Sequence, residues 1–271
     1  MPFASATWKR FPAVDDSGTM PPRLSRIHGV TVTHLFSPPG VCAPERSTYR
    51  FFPRVGLFIL ATLLYILAGI PGILLVPPQM QTYLIFISTQ GLGMLLLLGL
   101  FWLQYRQHFS AAWRGRVIRR PLGIGAACMV AAYVLCGVAI LMLGSPEEAF
   151  MAELLAGLNG WQTLIKIASL MVLPPIVEEL FFRHYLLRLF PYENSQVWKW
   201  IAVIVSAAIF AGLHTQYGNG TTMALIFVSG CIFAVARIVS GGLLVPILLH
   251  SMAEVLGMSL DTLFRMAGLF G

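Results

Sequence analysis

Charged residues are scarce in this chain. Asp, Glu, Lys and Arg together make up 11% of its 271 residues, whereas a soluble domain carries about 25%. Hydrophobic residues make up 57%, and the mean hydropathy is +0.78. The net charge of +7 comes mostly from arginines beside apolar runs, because only three residues are lysine. The composition therefore excludes an ordinary soluble domain, and it lacks the basic soluble surface of a nucleic-acid-binding module.

Several familiar sequence motifs are also absent. The four cysteines show neither a Cys-x-x-Cys pair nor Cys/His ligand spacing, which argues against a structural zinc site; they are Cys42, Cys128, Cys136 and Cys231. No Gly-x-Ser-x-Gly elbow supports a serine hydrolase, and no His-Glu-x-x-His helix supports a zincin-type site. Residues 1–54 have no early apolar core and so do not resemble a signal peptide. With seven Lys or Arg against three acids, this stretch is predicted to be a disordered or surface-lying cytosolic tail.

Seven apolar segments approach the roughly 20-residue length of a spanning helix. They are residues 55–76, 83–103, 122–143, 161–177, 200–213, 223–239 and 243–258. The fourth is predicted to continue as a helix through Arg188, and the fifth and seventh are short. Residues 259–270 are predicted to form an amphipathic or eighth segment. Because lipid requires each segment to satisfy its own backbone, we expect an all-α polytopic transmembrane helical bundle of about seven or eight spans.

Arginine bias sets the predicted orientation of these spans. Residues 104–120 carry five arginines and no acid, whereas residues 144–160 carry three glutamates and no Lys or Arg. The first loop is therefore predicted to be cytosolic and the second external. Seven spans then place the N-terminus in the cytosol and the C-terminus outside.

Five ionisable residues lie in, or at the edge of, these spans. A charged side chain at the bilayer centre costs at least about 2.5–3.5 kcal/mol, so such residues usually face a cavity and carry a function. The other eight acids of the chain lie outside the seven apolar segments. An intramembrane active site is therefore predicted from Glu178, Glu179, His214, His250 and Glu254.

The first group is the sequence Glu-Glu-Leu-Phe-Phe-Arg that begins at Glu178. On a helix, Glu179 and Arg183 share a face at i,i+4 spacing. Arg183 can therefore neutralise one carboxylate, while Glu178 points about 100° away and stays available to a ligand or water. Pro174 and Pro175 remove two backbone donors and can open the helix there. The alternative interpretation is an interfacial Glu/Arg pair where the helix leaves the membrane.

Two further groups follow along the chain. His214 closes an apolar run one turn after Phe210, and His250 and Glu254 share one face of the last span. The alternative for the first is an interfacial or hydrogen-bonded histidine. The alternative for the second is a His–Glu pair that only holds helices together.

The three groups together resemble a known family. Glu-Glu-x-x-x-Arg, Phe-x-x-x-His and His-x-x-x-polar, in this order on separate apolar helices, are similar to the CAAX prenyl protease type II family. This family is also called Abi or CPBP and includes lysostaphin-resistance-like bacterial proteins. The resemblance covers roughly residues 161–258. It implies a catalytic core over residues 161–271, preceded by N-terminal transmembrane helices over residues 55–160, and intramembrane endopeptidase activity.

Carried over by motif position, the resemblance implies that Glu178 and His214 activate the attacking water, with Arg183 and Glu179 supporting Glu178. The chemistry of the residues agrees, because amide hydrolysis needs a base for water and a proton for the leaving amine. Two adjacent carboxylates in a low-dielectric site cannot both ionise freely, so one can take a proton and return it. Histidine can serve either role near pH 7.

The resemblance further implies that Phe210 shapes the pocket and that His250 and residue 254 stabilise the oxyanion. The chain departs from the family here, because the family usually has Asn, sometimes Asp, where this chain has Glu254. Only a protonated Glu can donate a hydrogen bond to an oxyanion. One alternative is an inactive site. Another is a divalent metal such as zinc, held by His214, His250, Glu178 and Glu254; otherwise no cofactor is expected.

Two functions of different classes remain open from the sequence. One is an intramembrane endopeptidase that cuts a membrane-associated protein or peptide with water activated by glutamate and histidine. The other is a catalytically inactive family member that serves as a membrane scaffold, chaperone or bacteriocin-immunity protein. A proton-coupled transporter is a weaker third alternative. The expected surroundings are a lipid bilayer, by family abundance the bacterial plasma (inner) membrane, and no nucleic-acid partner is expected.

Overall fold

The computed structural model describes residues 49–77 and 80–270, and helices joined by loops make up this part of the chain. Within those ranges no strand is present, and the predicted all-α membrane bundle is confirmed. Each helix closes its backbone hydrogen bonds within its own segment, as lipid requires. In chain order the helices are α1 (Phe51–Leu75), α2 (Gln81–Tyr105), α3 (Phe109–Arg114), α4 (Arg119–Leu143), α5 (Ala149–Glu153), α6 (Gly160–Glu178), α7 (Gln196–Gly212), α8 (Gly220–Ser240) and α9 (Leu244–Ala267).

Five segments are long and apolar enough to cross a bilayer. They are Phe51–Leu75, Tyr83–Tyr105, Phe109–Leu143, Gly220–Ser240 and Leu244–Ala267. The predicted fourth and fifth spans correspond to α6, with 19 residues, and to the shorter apolar helix α7, with 17. The five segments support an integral membrane protein, while the count of seven or eight crossings stays a prediction.

Most of the predicted N-terminal tail, residues 1–54, lies outside the described residues, and so does Cys42. The described part begins at Tyr49, and α1 already starts at Phe51, four residues before the predicted span. The other three cysteines are free thiols.

The last helix is longer than the sequence predicts. The predictions of a short seventh span and of a separate segment over residues 259–270 are both wrong, because α9 runs without a break from Leu244 to Ala267. Residues 259–267 contain no Pro or Gly that would end the helix. By continuing, α9 also buries Phe264 against Cys136, Ile140 and Leu225.

Three helices that carry or approach the site begin at a polar cap. Asn159 before α6 accepts hydrogen bonds from the N–H groups of the first turn, and the Gln162 side chain accepts one in return from the Asn159 N–H. Ser195 caps α7, and Asn219 caps α8. Such caps satisfy N–H groups that have no partner within the helix, which sets where each helix begins.

The helix that carries the Glu-Glu pair changes its geometry at that pair. Pro174 and Pro175 lie inside α6 and do not end it. The chain continues as a π-helix over Glu179–Leu186 and a 3₁₀ turn over Leu187–Leu189. The predicted continuation through Arg188 is therefore confirmed. π-Helical turns are rare and frequently occur at functional sites.

The loops gather at two ends of the bundle, and one end is rich in arginine. The Arg116 N–H donates to the Ser240 carbonyl at 2.8 Å. Arg188 donates to the Tyr105 hydroxyl and accepts at its carbonyl from Arg54. These contacts bring together the start of α1 and the loops after α2, α6 and α8. We call this end the arginine face; it comprises residues 49–54, 105–118, 187–195 and 241–243.

The other end carries acidic loops. The Phe150 ring contacts the Tyr217 ring at 5.0 Å between centroids, and the Thr222 hydroxyl donates to Glu148. We call this end the acidic face; it comprises residues 144–159, 213–219 and 268–270. Because α4, α8 and α9 each run from one face to the other, the arginine-rich and glutamate-rich loops lie at opposite ends of the bundle.

The contact between the loops after α3 and α8 should not tolerate a larger residue than glycine. A Cβ atom at Gly242 would lie 2.2 Å from the Gly115 nitrogen and 2.5 Å from the Arg114 carbonyl carbon. We predict that Gly242→Ala lowers the stability of the purified protein by about 1–3 kcal/mol, because backbone must move. Gly123→Ala in α4 is the control, since nothing lies within 4 Å of its Cβ position. Equal melting temperatures for the two variants in detergent would contradict the prediction.

Candidate active site

Three parts of the bundle carry the ionisable residues singled out in the sequence, and the structure brings them together. Glu178 ends α6, and Glu179 and Arg183 lie in the π-helix that follows it. His214 comes directly after α7, and α9 presents the remaining two, His250 and Glu254. Phe210, one turn before His214, lies among them.

Arg183 and Glu179 form a fully buried ion pair. Arg183 Nε lies 3.3 Å from Glu179 Oε2, and neither side chain is exposed to any extent. The guanidinium also donates from Nη2 to the Gly230 carbonyl at 3.2 Å, and it lies 4.4 Å from the centroid of the Phe210 ring. Burying two charges is costly unless they are paired and hydrogen-bonded. These contacts, including the cation–π contact, offset part of that cost and tie the π-helix to α7 and α8, while Arg183 Nη1 has no hydrogen-bond partner among the described residues.

Glu179 also orients His250. Its Oε1 atom lies 3.0 Å from His250 Nδ1, and an ionised carboxylate can only accept, so Nδ1 is the donor. The Phe233 ring stacks against the imidazole, with 4.8 Å between centroids and 19° between planes. His250 Nε2 is thereby directed away from Glu179, to 3.7 Å from both Glu178 Oε2 and Glu254 Oε1.

His214 is oriented in a similar way by the backbone. Its Nδ1 lies 2.7 Å from the Phe210 carbonyl, which can only accept, so Nδ1 carries a hydrogen. Its Nε2 then faces Glu178, with 3.8 Å to Oε2. The ring packs at 4.6 Å from the Phe210 ring and lies nearly parallel to Tyr217.

Glu178 lies between the two histidines without a direct hydrogen bond to either. Its Oε2 atom is buried and has no hydrogen-bond partner among the described residues. Distances of 3.7 and 3.8 Å to the His250 and His214 nitrogens exceed the range of a hydrogen bond. A polar contact of this length is suited to a bridging group such as a water molecule. Glu178 therefore makes no direct hydrogen bond to either histidine, whereas Glu179 accepts one from His250 through Oε1 and faces the Arg183 guanidinium through Oε2.

A cavity of about 350 Å³ opens onto this cluster. Glu178, His214, His250 and Glu254 form its polar end. Glu254 is 27% exposed, the most of the site carboxylates. Most other walls are apolar and include Phe86, Ile140, Leu170, Leu225 and Phe264.

Sequence reasoning missed several residues of this region. In the apolar helix α8, Phe233 stacks against His250, and the Gly230 carbonyl accepts from Arg183. Nothing in the sequence of α8 marks these two residues. The Tyr133 hydroxyl, which belongs to α4, donates to the Ala253 carbonyl at 2.8 Å. Two further carboxylates, Glu148 and Asp261, line the cavity nearer the acidic face. Burial raises the pKa of Glu148, and the hydrogen bond from Thr222 opposes that rise.

The donor set considered for a metal does not gather into a ligand group. Among residues 49–77 and 80–270, no three His, Cys, Asp or Glu side chains are placed so that they could hold a metal ion. The separations around Glu178 and His250 are instead those of side chains facing a small shared space.

Comparison with known proteins points to one family. Residues 160–256 match the family described as type II CAAX prenyl endopeptidase, Rce1-like. An Escherichia coli protein named "Uncharacterized 24.3 kDa protein" is 32% identical over 183 residues, which cover 66% of this chain and 81% of that protein. No solved structure matches. The matched family segment contains α6, the π-helix, α7, α8 and the part of α9 that carries His250 and Glu254.

The buried ion pair yields a prediction about stability. We predict that Arg183→Met destabilises the protein by about 3–5 kcal/mol, because it leaves Glu179 as an uncompensated buried charge. Glu179→Gln combined with Arg183→Met should recover part of that loss, since both charges are then gone. The measurement is the melting temperature in detergent of both single variants, the double variant and the wild type. Additive losses in the double variant would contradict a coupled pair.

Proposed function

The chain belongs to the Rce1-like family of type II CAAX prenyl endopeptidases, whose members are intramembrane proteases, and we propose that it hydrolyses a peptide bond within the membrane. In this proposal the nucleophile is a water molecule activated by Glu178 and His214. The substrate is a membrane-associated protein or peptide.

One observation carries the proposal. Glu178 Oε2 lies 3.8 Å from His214 Nε2 and 3.7 Å from His250 Nε2, at the wall of a cavity. A carboxylate and two imidazole nitrogens that face a common space are the donor and acceptor groups that amide hydrolysis requires.

The first step in this mechanism is attack by water. A water between Glu178 and His214 gives one proton to Glu178 as its oxygen bonds to the substrate carbonyl carbon. His214 accepts a hydrogen bond at Nε2 and aims the water, because its Nδ1 is already committed to the Phe210 carbonyl. The carbonyl oxygen becomes an oxyanion.

In the proposed mechanism His250 stabilises that oxyanion. A protonated imidazole donates from both nitrogens, and here Nδ1 donates to Glu179 while Nε2 faces the cavity. Glu179 and Arg183 act as positioning residues, because they hold the imidazole in this orientation before substrate binds. A preorganised donor of this kind is worth roughly 10²–10³-fold in rate.

Collapse of the intermediate completes the reaction. The carbon–nitrogen bond breaks, the oxyanion returns to a carbonyl, and the proton held by Glu178 moves to the leaving amine. Glu178 is thereby restored to its starting state, so one residue serves as both base and acid.

Removal of Glu178 should stop cleavage. We predict that Glu178→Ala lowers the rate by about 10²–10⁴-fold while the protein still accumulates in the membrane, because it loses its base. The measurement compares membrane proteomes of a deletion strain carrying the wild type, Glu178→Ala or no protein. A C-terminal fragment present only with the wild type would identify the substrate. Glu153→Ala is the control, since Glu153 is an exposed carboxylate away from the cavity wall. Undiminished fragment from the Glu178→Ala strain would refute the glutamate mechanism.

Glu254 is the position at which this chain departs from the family pattern. Two substitutions there distinguish three roles for its side chain. If it is a protonated donor, Glu254→Gln should keep activity within about tenfold, whereas Glu254→Ala should lose about 10²–10³-fold. If it is a metal ligand, both variants should be similarly impaired and chelators should inhibit the purified enzyme. We expect the donor pattern, because a metal held by Glu178, Glu254 and both histidines would leave Glu179 as the only carboxylate base, and Glu179 already faces Arg183 and His250. If both variants keep full activity, Glu254 has no part in catalysis.

A further inference from the structure

One wall of the cavity comes from α2, which carries none of the candidate active-site residues. Phe86 and Gln90 both line the cavity, and at i,i+4 spacing they share one face of that helix. Leu170, Pro174 and Glu178 line it from α6 at the same spacing, and α2 packs against α6. The matched family segment begins at residue 160, so the α2 wall lies outside that segment.

Gln90 is the polar side chain of this wall, and half of its carboxamide is unused. Its Nε2 atom donates to the Tyr65 hydroxyl at 3.4 Å. Its Oε1 atom is buried and has no hydrogen-bond partner among the described residues. Ser88 and Ser169 differ from it, because each donates to a carbonyl of its own helix. Gln90 is thus a polar group that its own helix leaves partly unsatisfied.

This carboxamide lies at the same end of the cavity as Glu178. The Tyr65 ring packs 5.8 Å from the Phe181 ring, and Phe181 is three residues after Glu178. Glu178 also lies close enough to the Tyr65 hydroxyl to interact with it electrostatically. Because Gln90 contacts that hydroxyl directly, its unpaired oxygen is near the carboxylate that is proposed to activate water.

A backbone acceptor lies on the neighbouring α6 wall. Pro174 has no N–H, so the Leu170 carbonyl lacks its α-helical donor. In a helix the carbonyl of residue i points toward residue i+4, and both Leu170 and Pro174 line the cavity. The Leu170 carbonyl and the Gln90 carboxamide therefore offer hydrogen-bond acceptors to one shared space.

The main chain of a peptide supplies the donors that these acceptors lack. Every residue except proline carries a backbone N–H, and burying it without a partner is costly. We propose that the Gln90 carboxamide binds the main chain of the substrate beside the scissile bond, with Oε1 accepting a backbone N–H. This inference rests on the proposed hydrolytic function and adds to it a substrate-binding residue from α2.

This contact restricts the substrate in two ways. The N–H groups in the interior of a helix are already bonded, so the segment that Gln90 binds is extended at that point. The residue whose N–H reaches Gln90 cannot be proline, because proline has no N–H. The contact places no other demand on the side chains of the substrate.

Two glutamines of α2 provide a matched comparison. Gln104 contacts His184 Nε2 at 2.9 Å and does not line the cavity. Gln90→Met keeps a similar volume and removes the unpaired oxygen, so it should not lower the melting temperature in detergent. It should lower production of the fragment identified with the wild type by about tenfold or more. Gln104→Met should instead lower the melting temperature by about 2 °C or more, with unchanged cleavage per folded protein.

Substrate analogues test the hydrogen bond itself. A synthetic peptide that spans the cleavage site of that fragment is compared with a series in which one amide at a time, other than the scissile one, becomes an ester without an N–H. With the wild-type protein, one ester near the scissile bond should lower kcat/KM by about tenfold, mainly through KM. With Gln90→Met the same ester should cause no further loss, because both changes remove one hydrogen bond.

Several results would overturn this inference. One is full cleavage by Gln90→Met, and another is a loss of cleavage that only follows a loss of folded protein. A third is additive loss from Gln90→Met and the sensitive ester. If Gln90→Met does not fold, the ester series with the wild-type protein decides, since the absence of any sensitive ester contradicts the contact. Cleavage that survives Glu178→Ala refutes the hydrolytic function and this inference with it. Cleavage that is lost in Glu178→Ala but kept in Gln90→Met refutes only the role of Gln90.

Discussion

The carboxylate of Glu179 is shared between Arg183 and His250, and the geometry of the site depends on this sharing. One oxygen faces the guanidinium at 3.3 Å and the other faces the imidazole at 3.0 Å. Arg183 in turn reaches the Gly230 carbonyl and the face of Phe210. A single buried anion thereby joins the π-helix to α7, α8 and α9. Because a buried charge is tolerated only with its partners in place, these helices cannot rotate independently.

That constraint leaves a second carboxylate free. Adjacent residues of a helix point in different directions, so Glu178 cannot share the partners of Glu179. It lies instead between two imidazole nitrogens, each fixed by a hydrogen bond at its other nitrogen. The pairing that stabilises Glu179 therefore also prevents His250 from closing fully onto Glu178. The space that remains is the space in which a reacting group must fit.

The surrounding helices shield the ionisable site from lipid. α6 is less apolar than the other long helices, and α7 is shorter. α6 lies against α2 and α9, and α7 lies against α8. Their polar positions face protein and the cavity, while the lipid-facing surface is left to apolar residues such as Ile66, Leu135 and Val138. A cavity of about 350 Å³ reaches the site through this packing.

The sequence by itself determined the class of fold and the residues of the site. Charge is so scarce in apolar helices that Glu178, His214 and His250 stand out, and the i,i+4 pair of Glu179 and Arg183 follows from helix geometry alone. Only the tertiary structure decided that Glu179 also holds His250, 71 residues away, that Phe233 stacks on that ring, that α9 continues to Ala267 and that a cavity reaches the site. These features depend on how helices rotate and pack against one another, and that is set by the side-chain volumes of the whole bundle and not by any local pattern.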